Sequence, residues 1–249
     1  MSQETIRLAA VGDLHCTKTS TSELRSFFLQ AADNADILLL CGDLTDYGLP
    51  EEAHVLAEAL SPARIPVVAV LGNHDFESGK EDEVRRILTG AGVHMLDGEA
   101  CEIHGIGFAG VKGFAGGYGR RSLGPWGENT IKHFVNEAIQ ETLKFESALA
   151  KLRTSQRIGL LHYSPIQATV EGEPPEIFAF LGTSRLEEPL IRYPVNAVFH
   201  GHAHRGQPEG KTANNIPVYN VAKPLLERTF PGRPAFRIVE IPKSETVSM

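Results

Sequence analysis

The chain alternates between short, continuous apolar runs and longer stretches in which apolar residues recur every three to four positions. Ile6 to Val11, Ile37 to Cys41 and Pro66 to Leu71 are runs of the first kind. They lack the alternation of a half-exposed strand and predict strands covered on both faces. Between them, Leu24, Phe27, Phe28 and Ala31 fall at helical spacing. Ser20-Thr21-Ser22-Glu23 precedes them with the hydroxyl and acid of a capped helix start. Val55, Leu56, Ala59 and Leu60 form a second helical stripe, opened by Pro50, which the first turn tolerates. Glu81 to Leu88 predicts a third helix ending near Thr89-Gly90. Strand, helix, strand, helix, strand is the α/β order.

The pattern then shortens. Val93 to Leu96, Ala100 to His104 and Ile106 to Val111 predict short strands joined by glycine turns, as a meander or hairpins. Residues 113–127 are rich in glycine and predict a loop, and Asn129 or Thr130 is placed to cap a long helix reaching about Leu152. Arg157 to Leu161 and Val195 to Phe199 are further buried strands, with an irregular, proline-bearing segment from Tyr163 to Glu176 and a short helix from Ser184 to Tyr193 between them. Ile216 to Val221 and Phe236 to Ile241 close the sheets. The loops at 113–127 and 163–185 each follow a strand, which places them over the strand ends of one domain spanning 1–249.

At 249 residues, 42% hydrophobic and 22% charged, the chain can bury a substantial core without disulfides. The net charge of -7 argues against a broad nucleic-acid surface, which needs a basic stripe. The cysteines Cys16, Cys41 and Cys101 form no paired motif. No run is long enough for a membrane span, and the polar N-terminus does not read as a signal peptide. A reducing cytoplasm is the expected setting.

Five of the buried strands are followed at once by metal-binding residue types. These are Asp13 and His15 after Gly12, Asp43 and Asp46 after Gly42, Asn73 and His74 after Gly72, His162, and His202 and His204 after Gly201. Open α/β sheets bind ligands beyond the carboxyl ends of their strands. Asp13, Asp43, Asn73, His15, His162, His202 and His204 offer mixed oxygen and nitrogen donors and no thiolate. That set suits Mn, Fe, Zn or Co. It is too large for one tetrahedral ion and fits two ions sharing a carboxylate, which in such sites clamp the attacking and leaving oxygens of an in-line displacement. Two divalent ions and two aspartates leave a net positive charge suited to a hydroxide nucleophile and a phosphate ester. Residues 113–127 lack the Gly-x-x-x-x-Gly-Lys pattern of a nucleotide-cradling loop.

Asp-x-His, Gly-Asp, Gly-Asn-His-Asp, a lone His and Gly-His-x-His, in that order over residues 13 to 204, resemble the calcineurin-like metallophosphoesterase superfamily. The resemblance implies an α/β fold, a layered α-β-β-α sandwich of two mixed sheets flanked by helices. It implies that Asp13, His15 and His204 hold one divalent ion, that Asn73, His162 and His202 hold the other, and that Asp43 bridges them, with Mn or Fe favoured. It also implies that His74 steadies the phosphate or protonates the leaving oxygen, with Asp46 orienting it. The phosphoprotein phosphatases of that superfamily carry arginine where this chain has Tyr47, and glutamate where it has Asp75. The pattern looks more like the bacterial branch that includes class III cyclic-nucleotide phosphodiesterases.

The expected activity is therefore hydrolysis of a small phosphodiester such as a cyclic nucleotide. A phosphomonoesterase or nucleotidase on the same site is the alternative, and a non-catalytic scaffold a further one. No membrane or nucleic-acid partner is expected. Among the other histidines, His54 and His133 lie on predicted helix faces, and His200 should point away from His202 as packing or support. Cys16 and Cys41 read as packing. Lys112, Arg120 and Arg121 read as a solvated loop, or as phosphate contacts. Trp126 and Tyr118 read as packing, or as a stacking surface for a base.

Overall fold

The computed structural model describes residues 4–243. Strands β1 (Thr5–Val11), β2 (Ile37–Cys41), β3 (Val67–Val70), β4 (His94–Met95) and β11 (Arg237–Pro242) form one sheet in the order β11-β1-β2-β3-β4. Strands β5 (Glu99–Ile103), β6 (Ile106–Gly110), β7 (Gln156–Leu160), β8 (Ala197–His200), β9 (Glu209–Lys211) and β10 (Pro217–Asn220) form the second, in the order β5-β6-β7-β8-β10-β9. Both sheets are mixed: the inner pairs are parallel, and β11, β5 and β9 join antiparallel at the edges. The helices are α1 (Thr21–Asn34), α2 (Pro50–Leu60), α3 (Glu81–Gly90), α4 (Asn129–Lys151), α5 (Phe178–Leu181), α6 (Glu188–Arg192) and α7 (Lys223–Thr229). None in the described residues is long and apolar enough to cross a membrane.

The apolar runs are continuous because alternate residues serve two different cores. On β2, Leu38 and Leu40 pack toward α1 and α2 with Leu24, Phe28 and Leu56. Ile37, Leu39 and Cys41 point the other way, into a core shared with Phe108, Leu160 and Phe199 of the second sheet. The outer face of the second sheet repeats the arrangement, with Val198 and Val218 packed with Phe145 and Leu149 of α4. The layers are thus helix, sheet, sheet, helix, as the chain's resemblance implies. Each fully buried Leu or Phe stabilises this stack by about 1.5–3 kcal/mol.

Several local expectations are corrected. The Ser20 hydroxyl does not cap α1; it accepts the Thr17 N–H at 3.0 Å instead. The residue preceding α4 is Glu128, and neither Asn129 nor Thr130 acts as its cap. β4 pairs with β3 rather than entering a meander. β5 and β6 do form a hairpin, but His104 lies in its turn, at φ 52 beside Gly105 at φ 79, the two positive values that a tight two-residue hairpin turn requires. The polar edge strand β9 carries no apolar alternation and has no counterpart in the sequence reading.

Candidate metal centre

The carboxyl ends of β1, β2, β3, β7 and β8 converge, and the side chains that follow them meet. His204 Nε2 lies 2.9 Å from Asp13 Oδ1, and the His15 and His204 rings are 5.7 Å apart. Asp13, His15 and His204 form one group whose donor atoms can share an ion. Asp43, His162 and His202 form a second, and Asn73 joins it, with Oδ1 2.9 Å from His162 Nε2. Asp43 stands between the groups. Its Oδ1 is 3.3 Å from His162 Nε2 and its Oδ2 is 3.9 Å from His15 Nε2.

The backbone is bent to bring these groups together. Asp13, His15, Asp43 and His202 all have positive φ, at 57, 45, 48 and 69. A non-glycine residue in this region is uncommon and strained, and such strain persists where surrounding contacts fix it. The Asp13 carboxylate supplies one such contact, accepting the His202 N–H at 3.0 Å. The adjoining glycines allow the close approach: a Cβ on Gly42 would overlap the His162 ring, and one on Gly72 would overlap Asp43.

The protons on these rings are fixed by carbonyl partners. His162 Nδ1 donates to the Cys41 carbonyl at 3.0 Å, and in that tautomer the lone pair of Nε2 faces the oxygens of Asn73 and Asp43. Three acceptors then close on one point, which a cation satisfies. His202 Nε2 donates to the Phe180 carbonyl at 3.1 Å, leaving its Nδ1 for the centre. Burial, and then the neighbouring His162, push His202 down to about 3, so its ring is neutral and its lone pair available. Burial alone would raise the Asp13 carboxyl, but the His204 hydrogen bond and the nearby histidines hold it at about 2. The His204–Asp13 bond raises the imidazole in turn, and the proton shared there is one that a cation would replace. The donor set fits divalent metal.

His74 faces His15 edge-on, with ring centroids 4.6 Å apart. Its Nδ1 donates to the main-chain carbonyl of Asp46 at 2.8 Å. Asp46 thus meets His74 through its main chain, while its carboxylate Oδ1 lies 3.4 Å from His15 Nδ1. Burial works against the charged ring, yet the Asp46 carbonyl and the charges of Asp43, Glu77 and Asp46 raise His74 overall.

Asp75 was not among the expected site residues. It is buried, and its carboxylate accepts N–H groups of Leu44, Thr45 and Gly72 at 3.1, 2.8 and 2.8 Å and the Thr45 hydroxyl at 2.6 Å. One side chain thus ties the turn after β2 to the turn after β3. Burial and the nearby Asp43 push its carboxyl up to about 6 against those four donors. Asp75→Asn presents an NH₂ to donors, and we expect a 10–100-fold loss of metal affinity, the range for groups that orient ligands. Unchanged affinity in a metal titration would show that the turns hold without it. His200 behaves as expected, buried away from the centre, with Nδ1 donating to Gly201 and Nε2 accepting from Thr169, both at 2.8 Å.

The segments at 113–127 and 163–185 are bonded to each other. Gly116 N–H reaches the Ala179 carbonyl, Gly117 N–H the Gly182 carbonyl, and Ser184 N–H the Gly117 carbonyl, at 2.8, 2.8 and 3.1 Å. Through Phe180 this joined substructure also holds His202.

Comparison with known proteins agrees with the motifs. The family model for calcineurin-like phosphoesterases matches residues 6–206. No curated protein matches the sequence. Among solved structures, the phosphopantetheinyl hydrolase of Mycobacterium tuberculosis shares 18% identity at a TM-score of 0.67, with 96% of each chain covered. The purple acid phosphatase PPD1 of yellow lupin (Lupinus luteus) seeds shares 13% identity at a TM-score of 0.51, over 82% of this chain and 38% of that one. A putative 5'-nucleotidase from Staphylococcus aureus shares 14% at 0.52, over 87% and 48%. These likenesses are of fold.

Proposed function

The chain belongs to the calcineurin-like phosphoesterase family, whose members are metal-dependent phosphoester hydrolases, and we propose that this one cleaves a small phosphodiester, with a cyclic nucleotide the first candidate. The observation that carries the reading is the Asp43 carboxylate, with one oxygen toward each donor group. In this reading Asp13, His15 and His204 hold one divalent ion, Asn73, His162 and His202 the other, and Asp43 serves both. Manganese or iron is the favoured pair. Bound there, two such ions would supply Lewis acidity at the phosphoryl oxygens and would activate water.

The chain's own contribution is proton control and shape. His74 has its Nδ1 proton committed to the Asp46 carbonyl, which leaves Nε2 to carry a proton to the departing alkoxide. A positioned imidazolium suits this task, because an alkoxide leaves poorly without a proton. Asp46 acts on His74 through its carbonyl and on His15 through its carboxylate. The rim is aromatic: Tyr163 packs against His202 with ring centroids 4.4 Å apart, and Phe76 and Phe180 are 38% and 57% exposed. That wall suits the second alcohol group of a diester, and no arginine stands at Tyr47 to grip a terminal phosphate. The free cysteines suit the reducing cytoplasm that we assign to it.

The test is turnover of bis-p-nitrophenyl phosphate beside p-nitrophenyl phosphate, with Mn²⁺ and with chelator. Diester preference lost on chelation is expected. Preference for the monoester would make the protein a phosphomonoesterase instead. His74→Ala should keep both metals and slow turnover by about 10²–10⁴-fold, most for poor leaving groups. An equal loss for good and poor leaving groups would remove the proton-donor role.

A further inference from the structure

Lys112 follows β6 at the same end of the sheets as the metal centre, and its ammonium is held in an unusual way. The nitrogen lies 5.2, 5.0 and 5.5 Å from the ring centres of Phe76, Phe114 and Tyr163. Its hydrogen bond goes to the neighbouring Gly113 carbonyl at 2.9 Å, and it makes no ion pair among the described residues. Two of the acids near it are already engaged. Glu141 accepts from Lys144 at 2.7 Å and from Gly113 N–H at 2.8 Å, and Asp97 pairs with Lys144 and Arg85. Ring faces attract an ammonium but bring no counter-charge, so they fix its place and leave its charge to act elsewhere.

Two of the three rings belong to segments that carry the metal centre. Phe76 ends the short 3-10 helix that begins at His74, and Tyr163 contacts both His202 and His162. Lys112 also borders a cavity of about 150 Å³ shared with Phe76, Glu81, Asp82, Arg85 and Asp97. Three carboxylates against Arg85 make that cavity a poorer place for an anion than the Tyr163 side, which leads to the Asn73–His162–His202 group.

We propose that Lys112 is the residue by which this site selects its substrate, binding a second anionic group carried on the alcohol part of the phosphoester. The substrate class is thereby narrowed to phosphoesters whose alcohol bears a carboxylate or a further phosphate, so that among cyclic nucleotides one with two phosphates fits and a mononucleotide does not. The inference rests on the hydrolase reading above.

The test compares 2-hydroxyethyl, carboxymethyl and 2-phosphoethyl p-nitrophenyl phosphate, which share the scissile bond and differ in the charge of one arm. For the native protein, KM for the two anionic arms should lie about tenfold below that of the neutral arm, as for a charge-assisted contact. Lys112→Met should erase that difference with kcat within about twofold, and Lys112→Arg should keep it. The better of the two anionic arms identifies carboxylate or phosphate. A difference that is absent in the native protein, or that survives in Lys112→Met, overturns the inference. So does an equal loss on all three esters accompanied by a lowered Tm, which marks Lys112 as packing alone. If the neutral ester shows no chelator-sensitive turnover, the hydrolase reading itself fails. Calorimetric titration with methylphosphonate and methylenediphosphonate then decides: tighter binding of the diphosphonate that Lys112→Met abolishes supports anion selection, and equal binding refutes it.

Discussion

Asp43→Ala is expected to abolish turnover, by about a thousandfold or more, and to lower the metal content from two ions to one or none. The carboxylate is 1% exposed and does three things at once. Its oxygens face His162 and His15, and Oδ1 also accepts the His74 N–H at 2.9 Å. Truncation takes a shared donor from both halves of the centre and frees the turn that carries His74. Charge stabilisation by metal at phosphoryl oxygens accounts for several kcal/mol of the barrier in such enzymes, and each 1.36 kcal/mol is tenfold in rate. Metal analysis of the purified variant beside its kcat/KM checks this, with circular dichroism to confirm that it is folded. Full activity with two ions retained would sink the shared-carboxylate assignment.

The second large effect is on stability. Gly42→Ala places a Cβ where φ is +81 and where the His162 ring already stands. The conformation costs about 1–2 kcal/mol for an L-residue, and forcing an extra carbon into a packed interior costs about 1–3 kcal/mol more. For a chain of this length we expect a fall in Tm of roughly 5–15 °C, with metal lost from the His162 side. Gly79→Ala is the control. Its φ is +67 but nothing lies near its Cβ position, so only the conformational cost of about 1–2 kcal/mol applies and activity should be kept. Equal effects of the two substitutions would show that backbone conformation, and not the His162 ring, excludes a side chain at Gly42.

The strand ends were legible because two independent signals coincide there. A run such as Ile37 to Cys41 must serve two cores, and a polar donor directly after a glycine is out of keeping with that burial. Where function passes through the main chain, residue type carries no trace. The carbonyls of Cys41, Phe180 and Asp46 set the protons of three histidines, and nothing in the letters Cys, Phe or Asp announces it. Asp75 stood in plain sight within Gly72-Asn73-His74-Asp75. Its four donors come from turns that only the folded chain brings near it, so the residue read as a variation on a motif and not as the tie between two turns. β9 was illegible for another reason: an edge strand of three residues with a polar pattern has no periodicity to detect.

The pairing of Asp13 with His202 spans 189 residues of chain. Contacts between such distant segments form only after the cost of closing the intervening loop has been met. On a ribosome, β1, β2 and β3 emerge early and can pair as a parallel sheet, but at that stage they present half a set of donors. His162 follows with β7, and His202 and His204 only with β8, when most of the chain has been made. Completion of the donor set therefore belongs to the closing stage of synthesis, and an interrupted chain that stops short of Gly201 lacks both His202 and His204.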